Sequence, residues 1–278
     1  MYLQERVLAL AMLFTIVVAP RVAGQTTEPD QTAPEDSGIP SQAPAASSTS
    51  RPAPSPDRPV SWKLLLPNMI QDQERIWSFP ARAKQYWIPT AAALGITAGL
   101  ISLDPAEGGY FRRTSTFHSW NNIFTGNATS LGIIAAPVSL YSIGLLRKDA
   151  KMQHTMLFAG EALADAEILT TVLKDATRRV RPADLPSRAN SSDTWFESSG
   201  SYLRGGGSFP SGHTIAAFSI ATVVSRHYAD HRWVPYAAYG MAALVGFSRL
   251  TLSAHFLSDV FMGGALGYYI SRFAVLRK

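Results

Sequence analysis

QHTMLFAGEALADAEILTTVLKDATRRVRP, residues 153–182, decides the fold of this chain. From Gln153 to Ala176 the stretch has helical length, no proline and a high content of Ala, Leu and Ile, so it reads as one long helix. Pro182 disfavours helical backbone in the residue before it, which sets the latest end of that helix. If the helix runs on to Arg181, Lys174 and Arg181 stand two turns apart on one face and aim an ammonium and a guanidinium at one spot. Glu161, Asp165 and Glu167 impose a different limit, because three acids on a lipid-facing span are costly.

Outward from this helix, strand-like alternation is scarce and no internal repeat is visible. Further segments of helical length run roughly from Leu64 to Trp77, Gln85 to Leu103, Ser130 to Leu146, Ser211 to Tyr228, Pro235 to Leu250 and His255 to Leu276. Pro67, Pro80 and Pro89 blur the ends of the first two. The expected fold class is all-α: a helical bundle of about six helices with its active site at helix ends.

The chain has 278 residues, and its first sixty do not look like a core. Residues 1–24 join a short polar start, an apolar run from Val7 to Ala19 and the small residues Val22, Ala23 and Gly24, the pattern of a cleaved secretory signal. An uncleaved anchor is the other reading, although the run is short for a span. Residues 25–60 are rich in Pro, Ser, Thr and Ala without hydrophobic periodicity, so a disordered linker is expected there. That leaves residues 61–278 as one helical domain, exported to the cell envelope. Cysteine is absent, which excludes disulfides, cysteine zinc sites and thiol nucleophiles. The net charge of +5 suits anionic substrates or headgroups, but its dispersal along the chain argues against a nucleic-acid partner.

Membrane insertion stays open at this level. Several segments are long enough to cross, and Gly263-Gly264-Ala265 with Gly267 would let helices approach closely in a bilayer or in a soluble core. Three crossings after an exported start would put Arg147, Lys148 and Lys151 outside, against the positive-inside tendency. A polytopic protein and a peripheral or soluble bundle are both compatible with the sequence.

Two more segments carry chemistry. Gly205-Gly206-Gly207-Ser208-Phe209 leads into Pro210-Ser211-Gly212-His213 and then a helix, so backbone N–H groups and the helix dipole can meet an anion. Ser211 is a candidate N-cap, and His213 stands one turn on as a proton donor. In SRLTLSAHFLSD, residues 248–259, Arg249 closes one helix while His255 and Asp259, four apart, share a face of the next. A carboxylate bonded to one ring nitrogen fixes the tautomer and leaves the other nitrogen's lone pair free to attack. The rival reading is a metal site of His213, His255 and Asp259, weakened because three cations at one place would repel a divalent ion. Arg178 and Arg179 point elsewhere on a helix and are expected to be solvated or to meet headgroups.

The pattern Lys-x6-Arg-Pro, Pro-Ser-Gly-His and Ser-Arg-x5-His-x3-Asp, filled at every position, resembles the three-part motif of the type 2 phosphatidic acid phosphatase and vanadium haloperoxidase superfamily. The resemblance covers about Gln153 to Arg272. It implies a helical bundle in which His255 attacks phosphorus, Asp259 orients it and His213 protonates the leaving oxygen. Lys174, Arg181 and Arg249 would hold the phosphoryl oxygens with Ser211 and Gly212, with no metal or cofactor. The expected function is therefore a metal-independent phosphatase acting on phosphomonoester or diphosphate groups, of lipids such as phosphatidate or a polyprenyl diphosphate, with the membrane as partner. Alternatives are a vanadate-dependent haloperoxidase, a soluble acid phosphatase of broad specificity, and a non-catalytic headgroup binder. Outside the motifs, His227 and His231 read as an exposed polar turn. Tyr110 to Asn122 reads as a packed loop before a headgroup surface or an entrance to the site.

Overall fold

A computed structural model describes residues 58–79, 83–186, 194–198 and 206–276. The expected signal segment and nearly all of the expected linker lie outside the described residues. Among those residues there are nine α-helices and no strand. They are α1 (Leu65–Trp77), α2 (Trp87–Ile101), α3 (Asp104–Arg113), α4 (His118–Ile123), α5 (Gly126–Arg147), α6 (Ala150–Thr177), α7 (Gly212–His227), α8 (Trp233–Thr251) and α9 (Leu257–Tyr269). A π-helical turn, Ile270–Val275, continues α9.

The all-α class holds, and two boundaries teach something. The segment read as a loop between Tyr110 and Asn122 contains parts of α3 and α4. Its hydrophobic period is weak, but α3 carries Asp104 and Glu107 with a proline in its first turn and Arg112 with Arg113 in its last, which matches the helix dipole. The helix α6 does not run on to Arg181. It stops at Thr177, where Arg178 adopts the left-handed conformation at φ 42°. Arg181 follows in extended backbone, so the two cations do not share a helix face.

At the other end of α6, the Asp149 side chain accepts a hydrogen bond from Met152 N at 2.9 Å and starts the helix; Thr125 does the same for α5 through Ala128 N at 3.2 Å. The central helix is α7, packed against α6, α8 and α9. Phe158, Ala162 and Leu169 of α6 meet Ile215 and Val223 of α7 and the buried Ile270 and Val275 in the main core. The approach of α9 to α7 depends on two glycines: a Cβ at Gly263 would stand 2.8 Å from the Ser211 carbonyl, and one at Gly267 would collide with the Ile215 carbonyl. That closeness brings the first turns of α7 and α9 together, where the motif residues lie.

Of the acids Glu161, Asp165 and Glu167 on α6, two are covered, and Glu167 is exposed. Glu161 and Asp165 are fully buried beneath α1, where Asn68 Nδ2 donates to Glu161 Oε1 at 2.8 Å and Gln73 Nε2 donates to Asp165 Oδ1 at 2.9 Å. Arg58 bridges Glu161 and Asp72 from the same side. The cost expected for a lipid-facing span is thus avoided for Glu161 and Asp165 by covering their face, while Glu167 stays on the open side. In contrast, α5 has 22 residues, includes an 18-residue stretch with a mean hydropathy of 1.6, is long and apolar enough to cross a membrane, and leaves Leu131, Ile134, Val138 and Leu146 exposed.

Candidate active site

The site gathers four pieces of backbone: the end of α6, the segment Gly206–Pro210, the first turn of α7, and the link from α8 to α9. Lys174, 8% exposed, reaches back from the last turn of α6. Its Nζ lies 3.9 Å from where a Cβ on Gly212 would stand, so the missing side chain leaves the ammonium room at the N-terminus of α7. Burial, then the positive charge of Arg181, lowers the Lys174 pKa to about 8. The charge of Arg181 is thus felt at Lys174, by way of a turn after the helix rather than along one helix face.

His255 is 2% exposed and lies just before α9. Its Nδ1 is 2.7 Å from the Ser208 carbonyl, an atom that only accepts, so Nδ1–H donates and Nε2 keeps its lone pair. Burial pulls the ring's pKa down to about 4, with the charges of Lys174 and Arg181 adding to the effect and Asp259 opposing it. The ring is thus neutral at pH 7 and surrounded by cations.

Here the structure corrects the expected triad. Asp259 Oδ2 stands 3.7 Å from His255 Nδ1, beyond a hydrogen bond, and the carboxylate is committed elsewhere. Its Oδ2 accepts from Ser208 Oγ at 2.5 Å and from Phe256 N at 2.8 Å, while its Oδ1 accepts from Arg179 Nη1 at 2.6 Å. Asp259 orients the ring through Ser208, whose carbonyl holds the imidazole, and through the chain at Phe256. The glycine segment has a second duty as well. Gly207 packs on the Lys174 carbonyl with no room for a Cβ, and Ser208 N donates to the Arg179 carbonyl at 2.7 Å, which ties the His255 support to the end of α6.

Arg179 is the second correction. The sequence reading has it solvated or meeting headgroups, yet it is 1% exposed and clamped between two carboxylates, Asp259 and Asp104, each at 2.6 Å. Trp195 and Phe256 cover its faces with ring centroids at 4.4 and 4.3 Å. Ser258 Oγ completes the cluster by donating to Asp104 Oδ2 at 2.5 Å. Sequence reading missed Asp104, Arg179, Ser208 and Ser258. Arg179 lay inside a motif, but nothing local marked Asp104 as its partner.

His213 faces the other way, toward α5, with Nε2 at 2.8 Å from Ser130 Oγ and 3.2 Å from the Gly126 carbonyl. Burial, then the charge of Arg249, lowers its pKa to about 4. Arg249, also 1% exposed, donates from Nη2 to the Phe124 carbonyl at 2.6 Å and to Thr129 Oγ1 at 2.8 Å. Ser211 occupies the N-cap position of α7, but its side chain accepts no backbone N–H of the helix. Its hydroxyl accepts from Thr214 Oγ1 at 2.9 Å, and its N–H donates to the Asp259 carbonyl at 3.1 Å. The expected cap role is thus replaced by a contact that joins α7 to α9.

The remaining expectations sort quickly. Phe111, Phe117, Trp120 and Phe247 stack edge to face or tilted against one another, so the aromatic segment is packed. His227 is not in an exposed turn: Nδ1 lies 2.9 Å from Thr155 Oγ1 and the ring meets Phe158, whereas His231 is exposed.

Comparison with known proteins agrees with the motif reading. The PAP2 superfamily model matches residues 155–277. A lipid A 1-phosphatase of Porphyromonas gingivalis is 40% identical over 72 residues, 23% of this chain and 16% of that protein. Phosphatidylglycerophosphatase B of Bacillus subtilis is 34% identical over 108 residues, 36% of this chain and 46% of that protein. The chain thus spans less than half the length of either relative. Among solved structures, a transmembrane PAP2 type phosphatidylglycerolphosphate phosphatase from Bacillus subtilis superposes with a TM-score of 0.44 at 24% identity, covering 71% of this chain and 94% of that one.

Proposed function

Because the PAP2 superfamily model matches residues 155–277, we propose that the chain is a phosphatase that hydrolyses lipid phosphomonoesters or diphosphates through a phosphohistidine. The observation that carries this reading is the His255 ring. Its Nδ1–H is fixed on the Ser208 carbonyl, and its unprotonated Nε2 is left among Lys174, Arg181 and their neighbours. In the first step Nε2 supplies an electron pair to phosphorus, the P–O bond to the leaving group breaks, and His213, protonated once the phosphate anion offsets the Arg249 charge that adds to burial in lowering its pKa, gives that oxygen its proton. In the second step His213 takes a proton from water, the water oxygen bonds to phosphorus, and the P–N bond breaks. Lys174, Arg181 and Arg249 offset the charge on the phosphoryl oxygens, assisted by the Ser211 hydroxyl and the Gly212 N–H. The cations do the work that a metal does in other phosphatases, and no metal or cofactor enters either step.

A lipid substrate is supported by the names of the two relatives, both lipid phosphatases, and by the exposed apolar face of α5. With α5 in the bilayer, residues 61–278 act as one membrane-associated unit in the cell envelope, its site facing outward after export. The test is inorganic phosphate release from phosphatidate, a polyprenyl diphosphate and water-soluble phosphomonoesters, in excess chelator. The expected result is turnover by the native chain and a loss on the order of 10⁴-fold or more for His255→Ala. Turnover retained by that variant would remove the nucleophile and the mechanism with it.

A further inference from the structure

Residues Thr194 to Ser198 lie as a strap across the turn that ends α6. Val180 N donates to the Thr194 carbonyl at 2.8 Å, Phe196 N to the Thr177 carbonyl at 3.0 Å, and Ser198 N to the Arg178 carbonyl at 2.9 Å. Arg178 Nε closes the tie on the Ser198 carbonyl at 2.8 Å. The two chemical steps use none of the strap residues, yet the pinned main chain sets two of their side chains against the support of His255. Thr194, fully buried, accepts from Arg179 Nε at 3.2 Å. The Trp195 ring stands 4.4 Å from the Arg179 guanidinium and 5.1 Å from the Phe209 ring.

Those two neighbours begin the two routes that orient His255. Arg179 holds Asp259, whose Oδ2 accepts from the Ser208 hydroxyl. Phe209 follows Ser208 in the chain, so its place fixes the carbonyl that takes the Nδ1–H of His255. The Phe209 carbonyl is itself held by Thr177 Oγ1 at 2.9 Å, at the turn the strap crosses. We infer that Trp195 is a positioning residue for the His255 nucleophile, acting through Arg179 and Phe209 with the strap as its mount. This rests on the phosphatase reading and deepens it, because it names what keeps Nε2 aimed at phosphorus. An indole suits the task, since its face attracts the guanidinium while its bulk helps to keep water from the buried Arg179–Asp259 pair. Lost aim is felt in the chemical step more than in binding, because the phosphoryl oxygens are held by Lys174, Arg181 and Arg249.

Two readouts test this, one of them independent of turnover. The first is the nitrogen NMR spectrum of protein labelled in its histidine rings, with His255 identified by its loss in His255→Ala. The second is kcat and KM for a phosphomonoester as a function of pH. In the native chain His255 should show the Nδ1–H tautomer and titrate at about 4, set by burial, by Asp259 on α9, and by Lys174 on α6 and Arg181 beyond it, with His213 on α7 the other ring nearby. Trp195→Leu should raise that midpoint, because a looser ring is better hydrated, and lower kcat about ten- to hundredfold with KM unchanged. Trp195→Phe keeps a ring face and should recover most of both. A merely structural Trp195 would lower the folded fraction and leave the midpoint of the folded molecules where it was. Phe209→Leu removes the second contact of the indole and should move the midpoint the same way by less; a native titration there overturns the inference even where Trp195→Leu does not fold. So does a Trp195→Leu variant with native midpoint and kcat, a rise in KM at constant kcat, or a Trp195→Phe variant as impaired as Trp195→Leu. A midpoint that responds to Trp195→Leu in a chain that releases no phosphate sinks the phosphatase reading alone.

Discussion

The two halves of the site are built to opposite plans. On the His255 side, Asp259, Arg179, Asp104, Ser208 and Ser258 form a dry cluster in which each carboxylate meets a guanidinium and hydroxyls fill in between. On the His213 side, the ring meets one hydroxyl and one carbonyl beside an apolar groove between α5, α7 and α8. A nucleophile must hold one orientation through the reaction, and a buried, mutually paired support fixes that orientation. A proton donor must also admit leaving groups of varying bulk, which a saturated cluster would forbid. The difference predicts that damage to the first half is felt in stability and damage to the second in turnover.

The largest effect falls on turnover. His213→Ala should lower kcat for an alkyl phosphate by about 10²–10⁴-fold. It should cost far less for p-nitrophenyl phosphate, whose leaving oxygen needs no proton at neutral pH, and Tm should hardly move. A fall in Tm comparable to that of the braced-half variant would break the comparison. That variant is Arg179→Met, which strands Asp104 and Asp259 as buried carboxylates without their guanidinium. Its expected cost is about 3–5 kcal/mol of folding stability by denaturant titration. Arg179→Lys should recover part of the stability but not the two-carboxylate bridge, since an ammonium lacks the fork.

How much of this was legible beforehand depended on where each partner lies in the chain. The motif spacing singled out Lys174, Arg181, His255 and Asp259; the structure places Asp259 3.7 Å from His255, and the charges of Lys174 and Arg181 act on that ring. The stated path for the first pair failed because the left-handed turn at Arg178 ends α6 early. Propensity within the stretch gives no sign of that turn, which is held by tertiary contact between the helix end and Gly207. The braced half was invisible for another reason. Asp104 lies 75 residues before Arg179, and the group that orients His255 is a backbone carbonyl, which has no side-chain signature. The i, i+4 spacing of His255 and Asp259 led to a direct bond that the position of Ser208 replaces. Of α3, the charges at both ends were visible, but a weak apolar period hid the helix.

A pH experiment tests whether the cations act as a unit. Lys174 titrates at about 8, so it is charged below that pH and loses its proton as pH rises through it. Phosphate affinity should then fall, with KM rising up to about tenfold per pH unit above 8 while kcat changes less. Lys174→Arg stays charged, and its KM should remain flat to pH 10 whatever its absolute value. On the acid side His255 keeps its lone pair down to about pH 4, so loss of the nucleophile should appear only below that.

The smallest effect tests how loosely the second half is held. Ser130 is one of two groups on the His213 Nε2, and the Gly126 carbonyl remains when the hydroxyl is removed. Ser130→Ala should therefore cost about 1 kcal/mol of transition-state stabilisation, near a fivefold fall in kcat, with KM and Tm unchanged. A saturated cluster would respond otherwise, since removing one partner there leaves a buried charge exposed to nothing. A loss for Ser130→Ala as large as that for His213→Ala would mean that the acid, too, depends on a rigid brace. The two halves would then be built to one plan.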